Sequence, residues 1–448
     1  MQPKRIAIIG GGITGLGAAW LLHKSYQVTL FEKNAYIGGH THTIEVETPD
    51  GATLAVDTGF IVYNERNYPN LVGLFNELDI PTRATDMSFA FSLNGGELEY
   101  AGSSLNTLFA QRSNLFSLRH WRLIQEILRF NHTAHQTLAT LEAGTNPSMS
   151  LEDFLDKHHF STDLREHYLL PMGAAIWSCP VETMLKFPAT SFLRFFANHG
   201  LIDLQNRPQW RSVYGGSSAY VERLLQLMGK RLAHQPAAVR VERHPQGVTV
   251  FTQQEALPFD AVILACHADE ALALLADPSP DEQHILGSFH YQPNQTYLHT
   301  DTRLMPKRSL VWSSWNYLAT SQPQSRQQMT ATYWMNHLQG LPKQTPYLVT
   351  LNPYELPRDE HIIAHMTYHH PIFDQAAIQA QTQLSRLQGQ RHSWFCGSYS
   401  RYGFHEDALM SAVDVVSKGF GILPLWKQTQ TMTPGTVSPL AVTGATAS

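Results

Sequence analysis

RIAIIGGGITG, residues 5–15, is the stretch of this sequence that decides the fold. Its apolar run 6–9 has the composition of a buried strand and leads directly into the glycine-rich segment. A second apolar run, 28–31, ends immediately before Glu32. The fingerprint of a dinucleotide-binding unit is a strand, the motif G-x-G-x-x-G, a helix, a second strand and an acid, and this segment has them in that order. The sequence therefore predicts that the chain begins with an α/β dinucleotide-binding domain.

Each part of this fingerprint has a physical task. Gly10 permits the tight turn, Gly12 lets the backbone approach a pyrophosphate, and Gly15 lets the helix pack close to the strand. The helix that begins near Ile13 directs its unpaired N–H groups and its positive dipole end at the phosphates. Glu32 can accept hydrogen bonds from the adenosine ribose hydroxyls.

The residues after this unit narrow the choice of dinucleotide. The chain continues as KNAYIGGH (33–40) and, further on, as DTGF (57–60). An acid followed by this Gly-Gly pair resembles the flavin amine oxidase superfamily, which includes phytoene desaturases and protoporphyrinogen oxidases. In that family the Gly-Gly turn lies beside the FAD pyrophosphate and a D-x-G-x motif lies near the flavin. The family usually has Arg after the Gly pair, where this chain has His40.

Later segments continue the resemblance in the expected order, from residue 1 to about 425. WRSVYGGSS (210–218) is similar to the mid-chain Gly-Gly segment that faces the flavin, and the β-like runs between 239 and 265 are similar to the hairpin and return strand. WFCGSY (394–399) is similar to the closing motif, where a strand enters a helix that faces the flavin. The resemblance implies a Rossmann-type FAD-binding domain with an inserted α+β substrate domain.

The resemblance also implies that FAD is bound without a covalent link, because no cysteine matches the family's attachment position. The residues that it implies in FAD binding are Gly10, Gly12, Ile13, Thr14, Gly15, Glu32, Lys33, Gly38, Gly39, His40, Thr58, Gly59, Phe60, Ala238, Val239, Gly397, Ser398, Ala408, Leu409 and Ala412.

Three further runs resemble a bacterial subgroup of FAD-binding proteins. They are YLLPMGAAIWS (168–178), NQTYLHTD (294–301) and LMP (304–306) leading to WSSWNY (312–317). Members of that subgroup are often found beside methyltransferases similar to cyclopropane-fatty-acid synthase. This association implies a lipid substrate and a methyltransferase partner.

Length and composition set the remaining bounds. With 448 residues the chain predicts two domains. The net charge of −5 argues against a nucleic-acid partner, and no apolar run is long enough to span a bilayer. We expect a cytoplasmic protein without a disulfide framework.

The distribution of glycine-rich and apolar segments predicts the domain boundaries. The FAD-binding domain comprises 1–85, 205–275 and 388–425. The substrate domain comprises a mainly helical segment, 86–204, and a β-rich segment, 276–387, and residues 427–448 form a disordered tail.

The insertions offer His, Tyr and Trp rather than acids as candidate catalytic residues. His299 could act as a general base or orient a substrate, because histidine titrates near neutrality, and Tyr317 is a second candidate. Packing in the core is the alternative for both. Many flavin amine oxidases hold a water with a Lys, but here Asn294 and Gln295 align with that position. The next Lys is Lys307, which follows Pro306 and reads as a loop residue. The adjacent His369 and His370 would point to opposite faces of a strand, so no metal is expected.

One helical segment, 115–130, combines Phe, Leu and Trp with arginines. Such a helix can lie at a membrane surface, although packing of its apolar face in the domain is the commoner alternative. Three functions remain open. The first is a FAD-dependent oxidoreductase that oxidises or desaturates an apolar substrate, best a fatty acyl chain of a membrane lipid, at the inner membrane face. The second is an amine oxidase for a small amine, and the third is a non-catalytic flavoprotein partner of the methyltransferase.

Overall fold

The computed structural model describes residues 4–142, 149–177, 181–203, 205, 207–322 and 325–431. Its strands are β1 (Arg5–Ile9), β2 (Gln27–Phe31), β3 (Thr43–Glu47), β4 (Thr53–Asp57), β5 (Tyr63–Asn64), β6 (Thr82–Thr85), β7 (Phe89–Leu93), β8 (Leu98–Ala101), β9 (Trp210–Val213), β10 (Leu232–Gln235), β11 (Arg240–His244), β12 (Gly247–Phe251), β13 (Ala256–Phe259), β14 (Ala261–Leu264), β15 (His290–His299), β16 (Trp315–Gln322), β17 (Ser325–Trp334), β18 (Leu348–Leu351), β19 (Ile362–Ile372) and β20 (Ser393–Phe395).

The helices complete the chain. They are α1 (Ile13–Leu22), α2 (Pro69–Glu77), α3 (Leu105–Leu108), α4 (Leu118–Glu142), α5 (Leu151–Lys157), α6 (Thr162–Leu164), α7 (Leu170–Trp177), α8 (Val181–Leu185), α9 (Ala189–Asn198), α10 (Ser218–Met228), α11 (Ala268–Leu274), α12 (Pro280–Leu286), α13 (Met335–Leu338), α14 (Gln375–Gln383), α15 (His405–Phe420) and α16 (Leu425–Thr431). No helix within the described ranges is both long and apolar enough to cross a bilayer.

A parallel five-stranded sheet forms the first layer, in the order β10-β2-β1-β14-β20. Its central strands β1 and β14 contain buried, continuous apolar runs, as expected for strands that are covered on both faces. Helices α1 and α15 pack in the hydrophobic cluster on one face. The antiparallel strands β11–β13 and helices α11, α12 and α14 contribute to the cluster on the other face. The predicted α/β fold with a Rossmann-type domain is confirmed.

A second sheet of seven strands forms the other domain, in the order β19-β15-β18-β17-β16-β7-β8. Its pairs are antiparallel except for β16 and β7, which run parallel. Helices from α4 to α9 pack against it through a cluster rich in aromatic side chains, including Phe130, Phe154 and Phe192. The cavity described below lies between these helices, this sheet and the parallel sheet.

The structure differs from the predicted bounds of the β-rich segment and of the C-terminal tail. Ile285 of α12 and Ala377 of α14 are buried against the parallel sheet, so the inserted β-rich part spans β15 to β19 rather than 276–387. The helical insertion also contributes β7 and β8 to the seven-stranded sheet. The predicted tail begins inside α16, because residues 427–431 continue a helix whose Trp426 packs in the core beside Gly73. Residues 432–448 lie outside the described residues.

Candidate active site

The glycine turn after β1 has the geometry that its sequence requires. Gly10 adopts a φ of +110°, and its N–H donates to the carbonyl of Phe31 at 2.8 Å. A Cβ on Gly15 would lie 1.8 Å from the Gly10 carbonyl oxygen, so α1 can approach the turn only with glycine there. A Cβ on Gly12 would meet no protein atom closer than 3.9 Å, because this residue faces the cavity.

The N-terminus of α1 opens into the same cavity. Gly12 is its N-cap, with no side-chain cap and no acid in the first turn. Ile13 and Thr14 line the cavity. Because the first N–H groups of a helix have no partner within the helix, this end suits a bound phosphate.

Glu32 lies at the end of β2 and orients the turn. Its Oε2 accepts a hydrogen bond from the Gly11 N–H at 2.7 Å, and its Oε1 accepts one from the Asn34 N–H at 2.8 Å. The next residue, Lys33, is bound to Glu270 in an ion pair. The carboxylate is therefore fixed at the cavity wall, where a ribose would lie next to the phosphates.

The Gly-Gly segment closes against this turn. The Gly38 N–H donates to the Gly11 carbonyl at 2.9 Å, and a Cβ on Gly39 would lie 2.9 Å from the Cα of Gly12. A Cβ on Gly59 would lie 2.2 Å from the carbonyl oxygen of His40. Glycine at these positions allows three backbone segments to meet beside the cavity.

Asp57 ties two of the motifs together. It is fully buried, and its Oδ1 accepts hydrogen bonds from the Ser217 N–H at 2.7 Å, the Ser217 hydroxyl at 2.8 Å and the Thr43 hydroxyl at 2.6 Å. Burial raises the pKa of this carboxyl to about 6, against the effect of these hydrogen bonds. The aspartate thus joins the D-x-G-x motif to the mid-chain Gly-Gly segment.

His40 sits in a cluster of rings on the cavity wall. Its ring centroid lies 5.2 Å from those of Tyr368 and His370 and 6.4 Å from that of His267. Burial, together with His370 and other neighbouring histidines, holds the pKa of His40 well below its ordinary value. Its Nε2 is buried without a hydrogen-bond partner among the described residues. A neutral imidazole therefore offers one ring nitrogen to a ligand at this position.

The tautomer of His370 follows from its neighbours. The Asn352 side-chain amide donates to Oδ1 of Asn294 at 2.6 Å, which leaves the Asn294 amide nitrogen to donate to Nδ1 of His370 at 2.8 Å. Burial lowers the pKa of His370 to about 4. His370 is therefore neutral at pH 7 and carries its proton on Nε2.

The cavity has a volume of about 1330 Å³, above the roughly 300–1,000 Å³ of a pocket for a drug-sized ligand. It runs from the dinucleotide turn into a chamber between the helices and the seven-stranded sheet. The side chains that line this chamber are mainly apolar or aromatic: Met87, Phe89, Tyr100, Tyr168, Met172, Ile176, Phe195, Leu201, Trp210, Trp315, Tyr333, Leu351 and Phe404.

The charged groups of the cavity wall lie mostly at its cofactor end and are largely neutralised. Among the described residues, the acids on the wall are Glu32, Asp86 and Glu270. Asp86 pairs with His337 at 2.7 Å, and Glu270 pairs with Lys33. Arg207 is the other basic residue with a fixed charge on the described wall.

Most residues predicted to bind the cofactor lie together on this wall. They are Gly10, Gly12, Ile13, Thr14, Glu32, Lys33, Gly39, His40, Thr58, Gly59, Phe60, Ala238, Val239, Gly397, Ser398 and Ala408. The Val239 N–H already donates to the carbonyl of Phe251 at 2.7 Å, so this group is not free for an adenine ring.

Four predicted residues lie behind the wall instead. Gly15 and Gly38 provide close backbone approaches, while Leu409 and Ala412 are buried where α15 packs on α1. A Cβ on Gly17 would lie 2.5 Å from Cδ1 of Leu409. The two glycines shape the cofactor site through close backbone contacts, whereas Leu409 and Ala412 act through side chains that pack in the core.

The two predicted catalytic residues are core residues and do not line the cavity. His299 is fully buried, where its Nδ1 accepts from the Asp301 N–H at 3.0 Å and its Nε2 donates to the Thr350 hydroxyl at 2.6 Å. Tyr317 is buried beside Phe89 and Phe91. Neither side chain is therefore placed to act on a substrate in the cavity. Lys307, as expected, lies in a loop, where its N–H donates to Glu99.

A histidine that the sequence did not single out lies on the cavity wall. His199 follows α9, and its ring stacks on Phe195 with 3.8 Å between centroids. Its Nδ1 donates to the Phe195 carbonyl at 2.9 Å, and burial lowers its pKa to about 4. Nε2 therefore carries a lone pair at neutral pH. The signal in the sequence was weak, because a single His near a helix end is common.

The described His, Cys, Asp and Glu side chains at this site favour neither metal binding nor a reactive thiol. Within the described ranges, no three His, Cys, Asp or Glu side chains are grouped so that they could hold a metal ion. Cys266 lines the cavity and Cys396 is buried, and burial raises the pKa of both thiols. Cys179 and Ser178 lie outside the described residues.

Comparisons with known proteins agree with this geometry. A family model described as flavin containing amine oxidoreductase matches residues 13–416. A carotenoid phi-ring synthase of Streptomyces griseus is 39% identical over 75 residues, which is 16% of this chain and 14% of the synthase. The chain spans less than two thirds of the length of the curated relatives that it matches first.

Two solved structures share the fold. A fatty acid isomerase from P. acnes superposes with a TM-score of 0.65 at 15% identity, over 93% of this chain and 99% of the isomerase. Putrescine oxidase bound to putrescine superposes with a TM-score of 0.66 at 15% identity, over 93% of this chain and 99% of the oxidase.

Proposed function

Because this chain belongs to the flavin containing amine oxidoreductase family, we propose that it is a FAD-dependent oxidoreductase that oxidises or desaturates a long apolar substrate. The substrate that we propose is a fatty acyl chain of a membrane lipid. The observation that carries this proposal is the apolar chamber that continues the cofactor end of the cavity.

The residues at the cofactor end fit FAD. The open face of Gly12 and the N-terminus of α1 suit its pyrophosphate, and Glu32 suits its ribose. FAD, when bound, supplies the hydride chemistry, and the protein supplies orientation and a dry environment. We infer that neither described cysteine is linked to the flavin, because the raised pKa of the Cys266 and Cys396 thiols keeps both protonated at neutral pH.

The chamber favours an apolar substrate over a small amine. A carboxylate is one group that can hold a cationic amine, and the described acids of the wall already have partners. Side chains such as Met172, Ile176 and Leu201 can instead bury an alkyl chain. The names of the similar proteins include a carotenoid, a fatty acid and the amine putrescine, so the choice of an apolar substrate rests on the chamber.

His199 is the proton acceptor that we propose on the substrate side. Its Nε2 is unprotonated at pH 7, and the hydrogen bond from Nδ1 to Phe195 keeps the ring in this tautomer. Phe404, which precedes α15, lies 5.7 Å from it between ring centroids. His199 therefore lies on the cavity wall beside two aromatic side chains of the chamber.

An anaerobic titration of the flavin-loaded protein tests the proposal. We would follow the visible flavin band during addition of vesicles with unsaturated or methyl-branched phospholipids, of matched vesicles with unbranched saturated chains, and of an amine panel that includes putrescine. Bleaching by the unsaturated or branched lipids is the expected result.

Bleaching by an amine alone would show an amine oxidase and overturn the lipid proposal. An unchanged flavin band with every donor would also overturn it. A stable complex with a lipid methyltransferase, together with that unchanged band, would instead identify a flavoprotein partner without turnover.

A further inference from the structure

Large apolar side chains project into solvent on one side of the helical insertion. Phe116 is 90% exposed, Leu105 is 77% exposed and Leu118 is 75% exposed. We refer to these three residues as the apolar ridge. Leu115 and Trp121 add partly exposed apolar surface between them. Exposed leucines are ordinary when they are scattered, but a group of this size indicates an interaction surface.

The ridge is held as one unit by contacts beneath it. The Trp121 indole N–H donates to the Leu115 carbonyl at 3.0 Å, and Nε2 of His120 donates to the Leu108 carbonyl at 3.2 Å. Phe109 packs on Trp121 with 5.0 Å between ring centroids. These contacts join α3, the turn 112–116 and the start of α4, so the protruding side chains are presented on an ordered base.

The segment that carries the ridge has a basic sequence, although Glu97, Asp163 and Glu166 act electrostatically on its Arg119. Between residues 100 and 125 the sequence has three arginines and no acid. Arg122 is exposed on α4, and Arg112 is exposed beside the turn. Arg119 is paired with Asp163, whose carboxylate offsets its charge. Apolar side chains flanked by arginines fit the interface of a bilayer that contains anionic lipids.

The ridge adjoins an opening of the cavity. Gly102 and Ser103 are exposed to solvent and also line the cavity, and Leu105 follows two residues later. Tyr100, at the end of β8, continues the wall inward to Tyr168. An alkyl chain that leaves a membrane at the ridge would therefore enter the apolar chamber directly.

From these observations we infer that the apolar ridge docks the protein on an anionic bilayer and places the opening at Gly102–Ser103 against the lipid. This inference rests on the proposed lipid substrate. A second copy of the chain is a poorer occupant, because a two-fold interface at the ridge would bring the same arginines together.

Sedimentation with vesicles tests the docking. The FAD-loaded full chain would be mixed with phosphatidylcholine vesicles with and without phosphatidylglycerol. We expect the Leu105→Ser/Phe116→Ser/Leu118→Ser variant to partition onto the vesicles at least about tenfold more weakly than the wild type.

The control variant Leu356→Ser/Leu423→Ser removes exposed leucines outside the ridge and should bind the vesicles as the wild type does. Arg122→Gln should weaken binding to the anionic vesicles only, whereas Lys230→Gln should not.

Equal binding of the ridge variant and the wild type would overturn the docking proposal. So would a wild-type dimer that the ridge substitutions convert to a monomer, with no binding of vesicles by either protein. Flavin bleaching separates the two proposals. If substrate oxidation is correct, the ridge variant keeps its bleaching by detergent-dispersed lipid and loses it with vesicles. Vesicle binding without any bleaching would contradict only the proposed substrate.

Discussion

Glu32, which directly follows β2, accepts a hydrogen bond from the Gly11 N–H at 2.7 Å. It thereby fixes the glycine turn that follows the neighbouring strand β1. The same carboxylate accepts from the Asn34 N–H. Glu32 therefore shapes the site before any ribose binds to it.

Replacement of Glu32 tests this double role. In Glu32→Ala the buried Gly11 N–H loses its acceptor, which should cost about 1–3 kcal/mol of the unfolding free energy. FAD affinity should fall at least about tenfold in addition, through the lost ribose contact. Glu32→Gln keeps an oxygen acceptor and should be milder in both respects. Denaturant unfolding of the apoprotein and fluorescence titration with FAD measure the two effects. Equal losses in both variants would argue against the acceptor role.

Gly12 and Gly15 should respond in opposite ways to substitution. Gly12→Leu places its side chain in open cavity space, so the fold should persist while FAD retention is lost. Gly15→Ala forces a Cβ against the Gly10 carbonyl and should destabilise the protein by about 1–3 kcal/mol. Thermal unfolding and flavin absorbance of the purified variants distinguish the two. A yellow Gly12→Leu protein would contradict the pyrophosphate position.

His299 should matter for stability rather than for turnover. Burial lowers its folded pKa to about 4, so the folded state keeps it neutral while the unfolded chain gains a proton below about pH 6.5. Its contribution to stability is therefore lost as the pH falls from 6.5 toward 4, by roughly 2–3 kcal/mol. The difference in unfolding free energy between wild type and His299→Gln should follow this slope. A slower flavin reduction in the variant would instead restore the catalytic role.

His199 should matter for turnover. His199→Phe keeps the stacking on Phe195 but removes the proton acceptor at Nε2, so FAD should bind normally while flavin reduction slows by about 10²–10⁴-fold. His199→Gln serves as the polar control of similar length. Stopped-flow reduction across a pH series provides the measurement. Unchanged rates in both variants would remove His199 from the reaction.

The size of the apolar chamber should limit the length of the acyl chain that the protein accepts as substrate. Ile176→Trp narrows the wall and should raise KM for long acyl chains more than for short ones, with little change in FAD content. Ile176→Val is the matched control and should leave the preference unchanged. A uniform loss across chain lengths would show that the substrate lies elsewhere.

The cofactor end could be predicted from the sequence, whereas the substrate end could not. The roles of Gly10, Gly15 and Glu32 depend on residues close to them in the chain, so the local pattern contained them. The seven-stranded sheet depends on β7 pairing with β16, more than two hundred positions away, and no local periodicity records that contact. The burial of His299 follows from contacts of the same kind, because its ring is enclosed beside Thr350, 51 positions further along the chain.

The packing of α15 on α1 also sets an order of events during synthesis. The glycine turn leaves the ribosome before β20 and α15, so until these have emerged its sheet lacks the edge strand β20 and its helix lacks the cover from Leu409. The inserted domain is complete by then, because β19 ends before both elements. We therefore expect FAD to be retained only after β20 and α15 have emerged, so that flavin absorbance would report on a chain in which both elements have folded.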